Sequence, residues 1–328
     1  MSINKLDKLD WKILASLDKN ARASYSSIAK EVKLSKQAVK NRLDNLISEQ
    51  IITQFITFVN MGYLGITPYK VFIKFQTIQK EKKQEIISYL LQRPTIGVVT
   101  VFEGIYDLYF GVMTRHPHEL DHELKLFYNK FANYISERKT VALIDTQVLP
   151  RNYLIEQKRP SSVNSITFHS SKISSGHLKQ LDQQILMILN DDALIPATKI
   201  ATITHNSVQT IINRIKHLEK EKVITGYGYL LNETMFVSYL MLVQLNTLSE
   251  EVQQKMIHYL QTLPNVILII KTIGDWDYEI GVEAKELTEC RRCMEEFREQ
   301  FSPYLKSSTP LLVHRMLNIK NYMNEEKI

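Results

Sequence analysis

Two short segments have the residue types and spacing of a DNA-reading helix. They are SKQAVKNRLDNL, which begins at Ser35, and SVQTIINRIKHL, which begins at Ser207. Lys, Arg, Gln and Asn side chains donate hydrogen bonds to phosphates and to base edges in the major groove. If the apolar positions of each segment face a core, helical geometry turns the polar positions outward. The sequence therefore predicts contacts with double-stranded DNA by Ser35, Lys36, Gln37, Lys40, Asn41, Arg42, Ser207, Gln209, Asn213, Arg214 and Lys216.

The two segments differ in charge. Val208 and Ile212 stand where the first segment has Lys36 and Lys40. Because neutralisation of phosphates supplies much of DNA affinity, we expect the first segment to be the principal reader of DNA. The second is then an accessory reader or a contact for protein. Arg42 lies nearer the edge of its helix, where it suits either a phosphate or an internal carboxylate.

A second candidate site is a glycine and aspartate turn that occurs twice, in EGIYDLYFGV from Glu103 and IGDWDYEIGV from Ile273. Glycine lets a ligand approach the backbone, and an aspartate can hold an ammonium group. The alternative is that the aspartate only caps its turn. The second turn is the better candidate because Ile105 stands where Asp275 does. The predicted ligand-contacting residues are Gly104, Asp107, Gly274, Asp275, Trp276 and Asp277.

Two further clusters have simpler interpretations. His118 and His122 have the spacing of a two-ligand zinc edge, but they also suit an exposed helix start, and no further ligand set is evident. Cys290 and Cys293 have CxxC spacing without a second pair. Phosphate-binding loops and nucleophile elbows are absent from the sequence. The sequence therefore predicts no metal, no cofactor and no catalytic residue.

The composition indicates a multidomain globular protein. The chain has 328 residues, of which 44% are hydrophobic and 23% charged, and no apolar run approaches the length of a membrane span. A charged N-terminus and two cysteines predict a cytoplasmic protein without a membrane partner. Residues 1–58 carry ten Lys and Arg against six Asp and Glu, whereas residues 232–328 carry ten against fourteen. This asymmetry favours a polyanionic partner for the N-terminal end.

The elements that position these residues are repeated along the chain. Residues 9–53 and 181–225 agree at 16 of 45 positions without a gap. The repeat continues with a shift of two residues, and it aligns the glycine and aspartate turn of the first copy with that of the second. A Ser-rich segment between the copies, residues 155–176, is predicted to be a linker.

Each copy has two successive patterns of apolar residues. Three helical stripes followed by an alternating segment predict a winged helix-turn-helix. The remainder predicts β-α-β-β-α-β, the ferredoxin-like order, with one sheet face open for pairing. The predicted class is α+β, with these domains: winged helix-turn-helix 1–60, α/β domain 61–154, linker 155–176, winged helix-turn-helix 177–231 and α/β domain 232–328.

Several motifs recur in this order: LDxxIL at 9–14 and 181–186, SxxxVxxRxxxL at 35–46, SxxxIxxRxxxL at 207–218, and the glycine and aspartate turns. With them, the sequence resembles the Lrp/AsnC family, the leucine-responsive or feast/famine transcriptional regulators. The resemblance implies a DNA-binding regulator that dimerises through its C-terminal regulatory (RAM) sheets. It also implies a small amino-acid effector near that dimer interface. Family members typically have one copy per chain, so two copies predict an intramolecular pseudo-dimer or a larger homo-oligomer.

Two alternatives share this organisation. Siroheme decarboxylases resemble the same fold, occur as two-copy fusions, and use histidines with a tyrosine and an arginine near the second and third strands. Segments 98–112 and 268–282 contain no histidine, so the sequence favours a protein that is not an enzyme. The other alternative is an architectural protein that binds DNA without reading a specific sequence.

Overall fold

The computed structural model describes residues 6–157, 159, 165–169 and 178–317. The helices within these residues are α1 (Lys8–Lys19), α2 (Tyr25–Val32), α3 (Lys36–Ser48), α4 (Lys80–Leu91), α5 (Pro117–Phe131), α6 (Gln180–Asp191), α7 (Ala197–Ile203), α8 (Val208–Lys220), α9 (Glu250–Thr262) and α10 (Leu287–Phe301). The strands are β1 (Ile52–Val59), β2 (Thr67–Phe75), β3 (Ile96–Glu103), β4 (Leu108–Thr114), β5 (Ile135–Val148), β6 (Ile166–His169), β7 (Ile224–Leu231), β8 (Val237–Leu245), β9 (Val266–Ile273), β10 (Tyr278–Ala284) and β11 (Leu305–Leu317). No helix in these ranges has the length and apolar character needed to cross a bilayer.

Both copies begin with the predicted three helices, which we call the first head (α1–α3) and the second head (α6–α8). The apolar stripes face inward, and the α3 side chains Val39, Leu43 and Leu46 are buried. We call α3 and α8 the reading helices. Each of them begins at a serine whose hydroxyl accepts a backbone N–H. Ser35 accepts from Ala38 at 3.1 Å, and the second copy repeats this cap.

The wing is shared between the copies. Each copy was predicted to have a wing of its own, but β1 and β7 instead pair with each other as one antiparallel sheet. The strands pack on opposite heads: Tyr229 of β7 donates its hydroxyl to the carbonyl of Leu14, and Thr57 of β1 donates to that of Leu189, both at 2.8 Å. Because each strand completes the core of the other copy's head, the two copies are interlocked.

The two α/β domains form one closed barrel. Each copy has the predicted β-α-β-β-α-β order, so the α+β prediction is confirmed. The eight strands follow the ring order β2-β4-β3-β11-β8-β10-β9-β5, and β5 pairs back to β2. The copies join at two equivalent edges, β3 with β11 and β5 with β9. The intramolecular pairing expected from the duplication is thus formed through backbone hydrogen bonds.

The barrel has one apolar layer inside and two outside. Helices α4 and α5 cover the strands of the first copy, and α9 and α10 cover those of the second. The interior is largely aromatic, with Phe72 stacking edge-on against Trp276 at a centroid distance of 4.8 Å. The other buried interior side chains of this cluster are Phe102, Tyr106, Tyr109, Val141, Leu240, Leu242 and Leu311.

Two elements extend beyond the sequence-based expectation. The apolar pattern of the sequence predicts strands that begin at 141 and 311, but β5 begins at Ile135 and β11 at Leu305, six residues earlier in each case. Their first halves contain Ser, Lys, Arg and Glu because one face of each is exposed, so apolar periodicity does not show them. These halves pair with β2 and β8 and close each four-stranded sheet.

The segment predicted as a linker is partly packed against the second copy. β6 adds to the edge of β5, and the side chain of Arg159 is buried. Its guanidinium donates to the carbonyls of Leu263 at 2.9 Å and Val266 at 2.8 Å, just after α9. A polar, Ser-rich composition did not reveal this anchoring, because it depends on one arginine that caps a helix end. Residues 158, 160–164 and 170–176 of the segment lie outside the described residues.

Candidate nucleic-acid interface

The α3 helix presents a polar face to solvent. Lys36, Gln37, Lys40 and Asn41 are exposed on it, as helical geometry predicted. The amide of Gln37 donates to Asn41 Oδ1 at 2.8 Å, which holds the two amide side chains side by side. Amides in this arrangement can bind base edges in a major groove.

Exposed lysines extend beyond the predicted segment. Lys30 is in the last turn of α2 and Lys33 is its C-cap, with left-handed φ of 58°. Together with Lys36 and Lys40 they form what we call the lysine ridge. None of the four forms an ion pair with another described residue. The sequence-based prediction missed the first two lysines because it considered only the reading helix, although their repeat partners in the second copy differ in charge.

The second head keeps the amides and lacks the ridge. Gln209 donates to Asn213 Oδ1 at 2.9 Å, which repeats the bond of the first head. The positions equivalent to the four ridge lysines hold Thr202, His205, Val208 and Ile212. Val208 is exposed, so an apolar surface occupies the place of a cationic one. Lys216 remains exposed near the end of α8.

The predicted arginine contacts point into the heads. Arg42 forms ion pairs with Asp10 at 2.7 Å and Asp7 at 2.9 Å. Arg214 forms the equivalent pair with Asp182 in the second head. Both arginines therefore tie the reading helix to the first helix of the head, which is the internal alternative considered for Arg42. Among the predicted contacts on α3, the side chains that face solvent without an ion pair to a described residue are Lys36, Lys40, Gln37 and Asn41.

A buried polar network connects the first head to the second α/β domain. Arg151 follows β5 and donates to Asp18 of α1 and to Glu283 of β10, both at 2.8 Å. Tyr153 donates its hydroxyl to the same oxygen of Glu283 at 2.5 Å, and the Arg151 guanidinium lies 5.3 Å from the ring centroid of Tyr229. Burial raises the pKa of the Asp18 carboxyl, and Arg151 opposes this only in part.

Within the described residues, the equivalent place in the second head does not have a counterpart of the Glu283 carboxylate. Met113 of β4 stands where Glu283 does and packs against the core of the second head. Asn190 replaces Asp18, and Thr57 replaces Tyr229. In the part of the chain that the structure describes, the first head therefore meets the barrel through Asp18, Arg151 and Glu283, and Met113 packs against the second head where Glu283 lies in the first.

Comparison with known proteins agrees with the duplicated organisation. An AsnC-type helix-turn-helix domain matches residues 6–47, and a winged helix-turn-helix DNA-binding domain matches residues 178–225. The transcriptional regulator LysM of Sulfurisphaera tokodaii is 50% identical over 103 residues, which are 31% of this chain and 71% of LysM. The chain belongs to the Lrp/AsnC family. An uncharacterised HTH-type transcriptional regulator of Pyrococcus abyssi is 28% identical over 151 residues, or 45% of this chain and 91% of that protein.

One solved structure matches the fused chain as a whole. The siroheme decarboxylase NirDL aligns over 98% of this chain and 96% of its own with a TM-score of 0.63 and 13% identity. At this identity the likeness shows the two-copy fold alone. This Lrp/AsnC protein therefore shares its complete architecture with a chain that is described as an enzyme.

The two glycine and aspartate turns close the ends of the regulatory sheets. Asp107 accepts the backbone N–H of Phe75 at 2.9 Å, and Asp277 accepts that of Leu245 at 2.7 Å. Gly104 adopts a φ of 146°, which a side chain rarely permits. Asp107 and Asp277 therefore cap their turns, which was the alternative to ligand binding for these aspartates.

The remaining residues of the second turn are also engaged. Gly274 has a φ of 147°, and a Cβ there would lie 2.9 Å from the carbonyl oxygen of Thr140. Asp275 pairs with Lys139 of the first copy at 3.0 Å. Trp276 is buried in the barrel and donates to Glu279 at 3.2 Å. Of the predicted ligand-contacting side chains in this turn, Asp275 is the carboxylate nearest solvent.

The histidine and cysteine clusters have ordinary surroundings. His118 and His122 are exposed and line a cavity of about 480 Å³ near Arg93. Within the described ranges, no three His, Cys, Asp or Glu side chains are grouped to hold a metal ion. Cys290 and Cys293 are buried in α10, and burial raises the pKa of both thiols to about 12. Such thiols are protonated and poorly nucleophilic near neutral pH.

Proposed function

We propose that this protein is a transcriptional regulator that binds double-stranded DNA chiefly through the first head. The observation that carries the proposal is the lysine ridge, which surrounds the amide pair of α3 and is missing around the same pair of α8. Lysines attract phosphates of any sequence, whereas amides bind particular base edges. A head with both is suited to tight, selective binding. A head that has the amides and Lys216 but lacks the ridge depends on the first head to bring it to DNA.

The amide pairs allow a matched test of which head reads sequence. Double-stranded DNA from a random pool is selected with the full chain, and binding to the enriched site is then measured for two variants, Gln37→Ala/Asn41→Ala and Gln209→Ala/Asn213→Ala. Each lost base contact costs about 1–3 kcal/mol of discrimination. The first variant should lose most of its preference for the selected site, and the second should lose little. Equal losses would contradict the asymmetry, and failure to enrich any motif would favour the architectural alternative.

The shared wing fixes the expected geometry of the DNA site. Because both heads belong to one interlocked chain, a single chain presents two reading helices. If both enter major grooves on one face of DNA, half-sites about one helical turn apart are expected. The half-site of the second head is expected to tolerate more substitutions than that of the first.

The proposal includes a small amino-acid-like effector at the turn of the second regulatory domain. Asp275 supports this location because its partner, Lys139, is an ammonium group that a ligand ammonium could replace. Titration calorimetry with mixed amino acids tests it. Binding that disappears in Asp275→Asn and persists in Glu103→Gln, on the equivalent turn of the first copy, is the expected result. Binding unaffected by Asp275→Asn would remove this site.

We propose further that the chain is not an enzyme. The support is the absence of histidine from residues 98–112 and 268–282, the two segments in which the decarboxylase resemblance requires it. Incubation with siroheme followed by an absorbance spectrum tests this proposal. A stoichiometric, saturable change in the siroheme spectrum would favour the enzyme alternative, whereas an unchanged spectrum together with salt-sensitive DNA binding would favour the regulator.

A further inference from the structure

A buried ion pair joins the two copies inside the barrel. Lys70 of β2 contacts Glu279 of β10, and their side chains are 7% and 0% exposed. The Lys70 ammonium also lies 4.6 Å from the ring centroid of Tyr109, and Trp276 donates to Glu279. Both charges are thus removed from water and satisfied by side chains around the barrel axis.

The two copies differ at these positions. In both copies the first strand of the sheet pairs with the third in the same register, so equivalent positions can be identified from their strand partners. The equivalences are Lys70 with Leu240, Tyr109 with Glu279, Phe72 with Leu242, and Gly111 with Gly281. The first copy therefore supplies only the cation, and the second supplies only the carboxylate.

Pairing between like copies would leave these charges without partners. A barrel of two first copies would bury two Lys70 side chains beside tyrosines, and a barrel of two second copies would bury two Glu279 side chains beside leucines. A buried charge without a counter-charge is strongly disfavoured. The edge strands do not discriminate in this way, because β3 with β11 and β5 with β9 are equivalent contacts formed by backbone hydrogen bonds.

We propose that the Lys70–Glu279 pair makes the first regulatory domain accept the second and reject another copy of itself. The partner that this surface fits is a sheet with a carboxylate at the position of Glu279. The chain therefore closes on itself, or exchanges unlike halves with a second chain. This selectivity does not depend on whether the protein binds DNA.

A disulfide reporter can detect the rejected pairing in the full chain. Glu103 now faces Leu312 and Ala142 faces Ile273 across the two joints. In a barrel of two first copies, residue 103 of one chain would face residue 142 of the other, within reach of a disulfide. The variant Glu103→Cys/Ala142→Cys therefore forms a covalent dimer through this joint only when like copies pair. Its two cysteines do not face each other in the closed chain.

The two reporter cysteines are introduced into three proteins, the backgrounds, that differ at residues 70 and 279. The first background keeps Lys70 and Glu279. A second, Lys70→Leu/Glu279→Tyr, gives both copies the same leucine and tyrosine. The third, Lys70→Glu/Glu279→Lys, exchanges the charges and keeps the copies different. Each protein is refolded from denaturant at high concentration, because linkage of the copies otherwise favours closure within one chain. Oxidised products are then separated without reductant.

We expect little covalent dimer from the native and exchanged backgrounds and about ten-fold more from the matched background, which corresponds to the discrimination lost with the charges. Equal dimer yields in the native and matched backgrounds would overturn the proposal, as would an exchanged background that dimerises like the matched one. If circular dichroism shows the matched chain unfolded, Lys70→Met/Glu279→Gln removes both charges with less change of shape. The same excess of dimer over native is then required of that variant.

Discussion

The first and second heads have the same internal construction and different surfaces. Both reading helices begin at a serine cap and carry a hydrogen-bonded Gln and Asn pair, and both are tied to the first helix of their head by an Arg and Asp ion pair. Among the described residues, only the first has the lysine ridge, and the buried network of Arg151 lies at the first head. Contacts that define the fold of a head are present twice, whereas the four ridge lysines are present once.

The difference extends to how motion of the barrel can reach the heads. Arg151 connects Asp18 in the first head with Glu283 in a barrel strand, so a displacement of that strand alters three charged groups at once. In the second head, Met113 occupies the position of Glu283 and packs against an apolar core. Within the described residues, the head that carries the lysine ridge is therefore also the one with a charged contact at this strand position.

The largest expected effect comes from breaking the ionic junction. Arg151→Leu removes the only described cation that bonds to both Asp18 and Glu283 and leaves two buried carboxylates without it. We expect a loss of about 3–5 kcal/mol in the free energy of unfolding, measured by urea denaturation. The matched change in the second junction, Met113→Leu, keeps volume and polarity and should cost less than about 1.5 kcal/mol. Similar losses in the two variants would show that the junctions do not differ in the proposed way.

The next effect concerns the ridge. Lys36→Val/Lys40→Ile gives α3 the residues of α8 at these positions. If each lysine neutralises one phosphate, the slope of log affinity against log salt should fall by about 1.8 in magnitude, with an affinity loss of about ten-fold or more at low salt. Fluorescence anisotropy with duplex DNA measures both quantities. Lys80→Ala/Lys125→Ala, two exposed lysines on the helices of the first regulatory domain, removes the same charge and should leave the slope unchanged.

How much of this arrangement the sequence predicts depends on the range of the contact. Local patterns were sufficient for the three helices of each head, because the spacing of Val39, Leu43 and Leu46 fixes a buried stripe. They were also sufficient for the order of strands within each domain. The exchange of wing strands was missed, since an alternating strand has the same pattern whether its partner is in its own copy or the other one.

The site was predicted less completely for a similar reason. The exposed face of α3 follows from helical geometry, but the pairing of Arg42 with two aspartates depends on how α1 crosses α3. Arg151 and Glu283 are charged residues in unremarkable sequence surroundings, and only their meeting at 2.8 Å makes them a junction. The differences at Lys30 and Lys33 were visible in the aligned copies and could have been found from the repeat alone.

A smaller effect is expected from transferring the ridge. Val208→Lys/Ile212→Lys gives the second head the two lysines of α3. Added cations should raise DNA affinity a few-fold at low salt and increase the magnitude of the salt slope by up to about 1.8, provided that the second head reaches the duplex. If the slope does not change while the variant remains folded, α8 faces away from DNA, and its exposed Val208 and partly buried Ile212 are better explained as a protein contact.

The smallest expected effect is a pH dependence specific to the ionic junction. Because burial raises the pKa of Asp18 above its ordinary value of 3.8, the folded state holds this proton more tightly than the unfolded state does. The contribution of Asp18 to stability is therefore fully present below that value and is lost as pH rises through the folded pKa. Asp18→Asn introduces the residue type of Asn190, the equivalent position in the second head, and removes this titration. The difference in unfolding free energy between wild type and Asp18→Asn should shift in favour of the variant as pH increases from about 4 to about 7, as measured by urea denaturation at each pH. A constant difference across this range would mean that Arg151 stabilises the Asp18 carboxylate enough to cancel the cost of burial, and the junction would then act as a fixed ion pair.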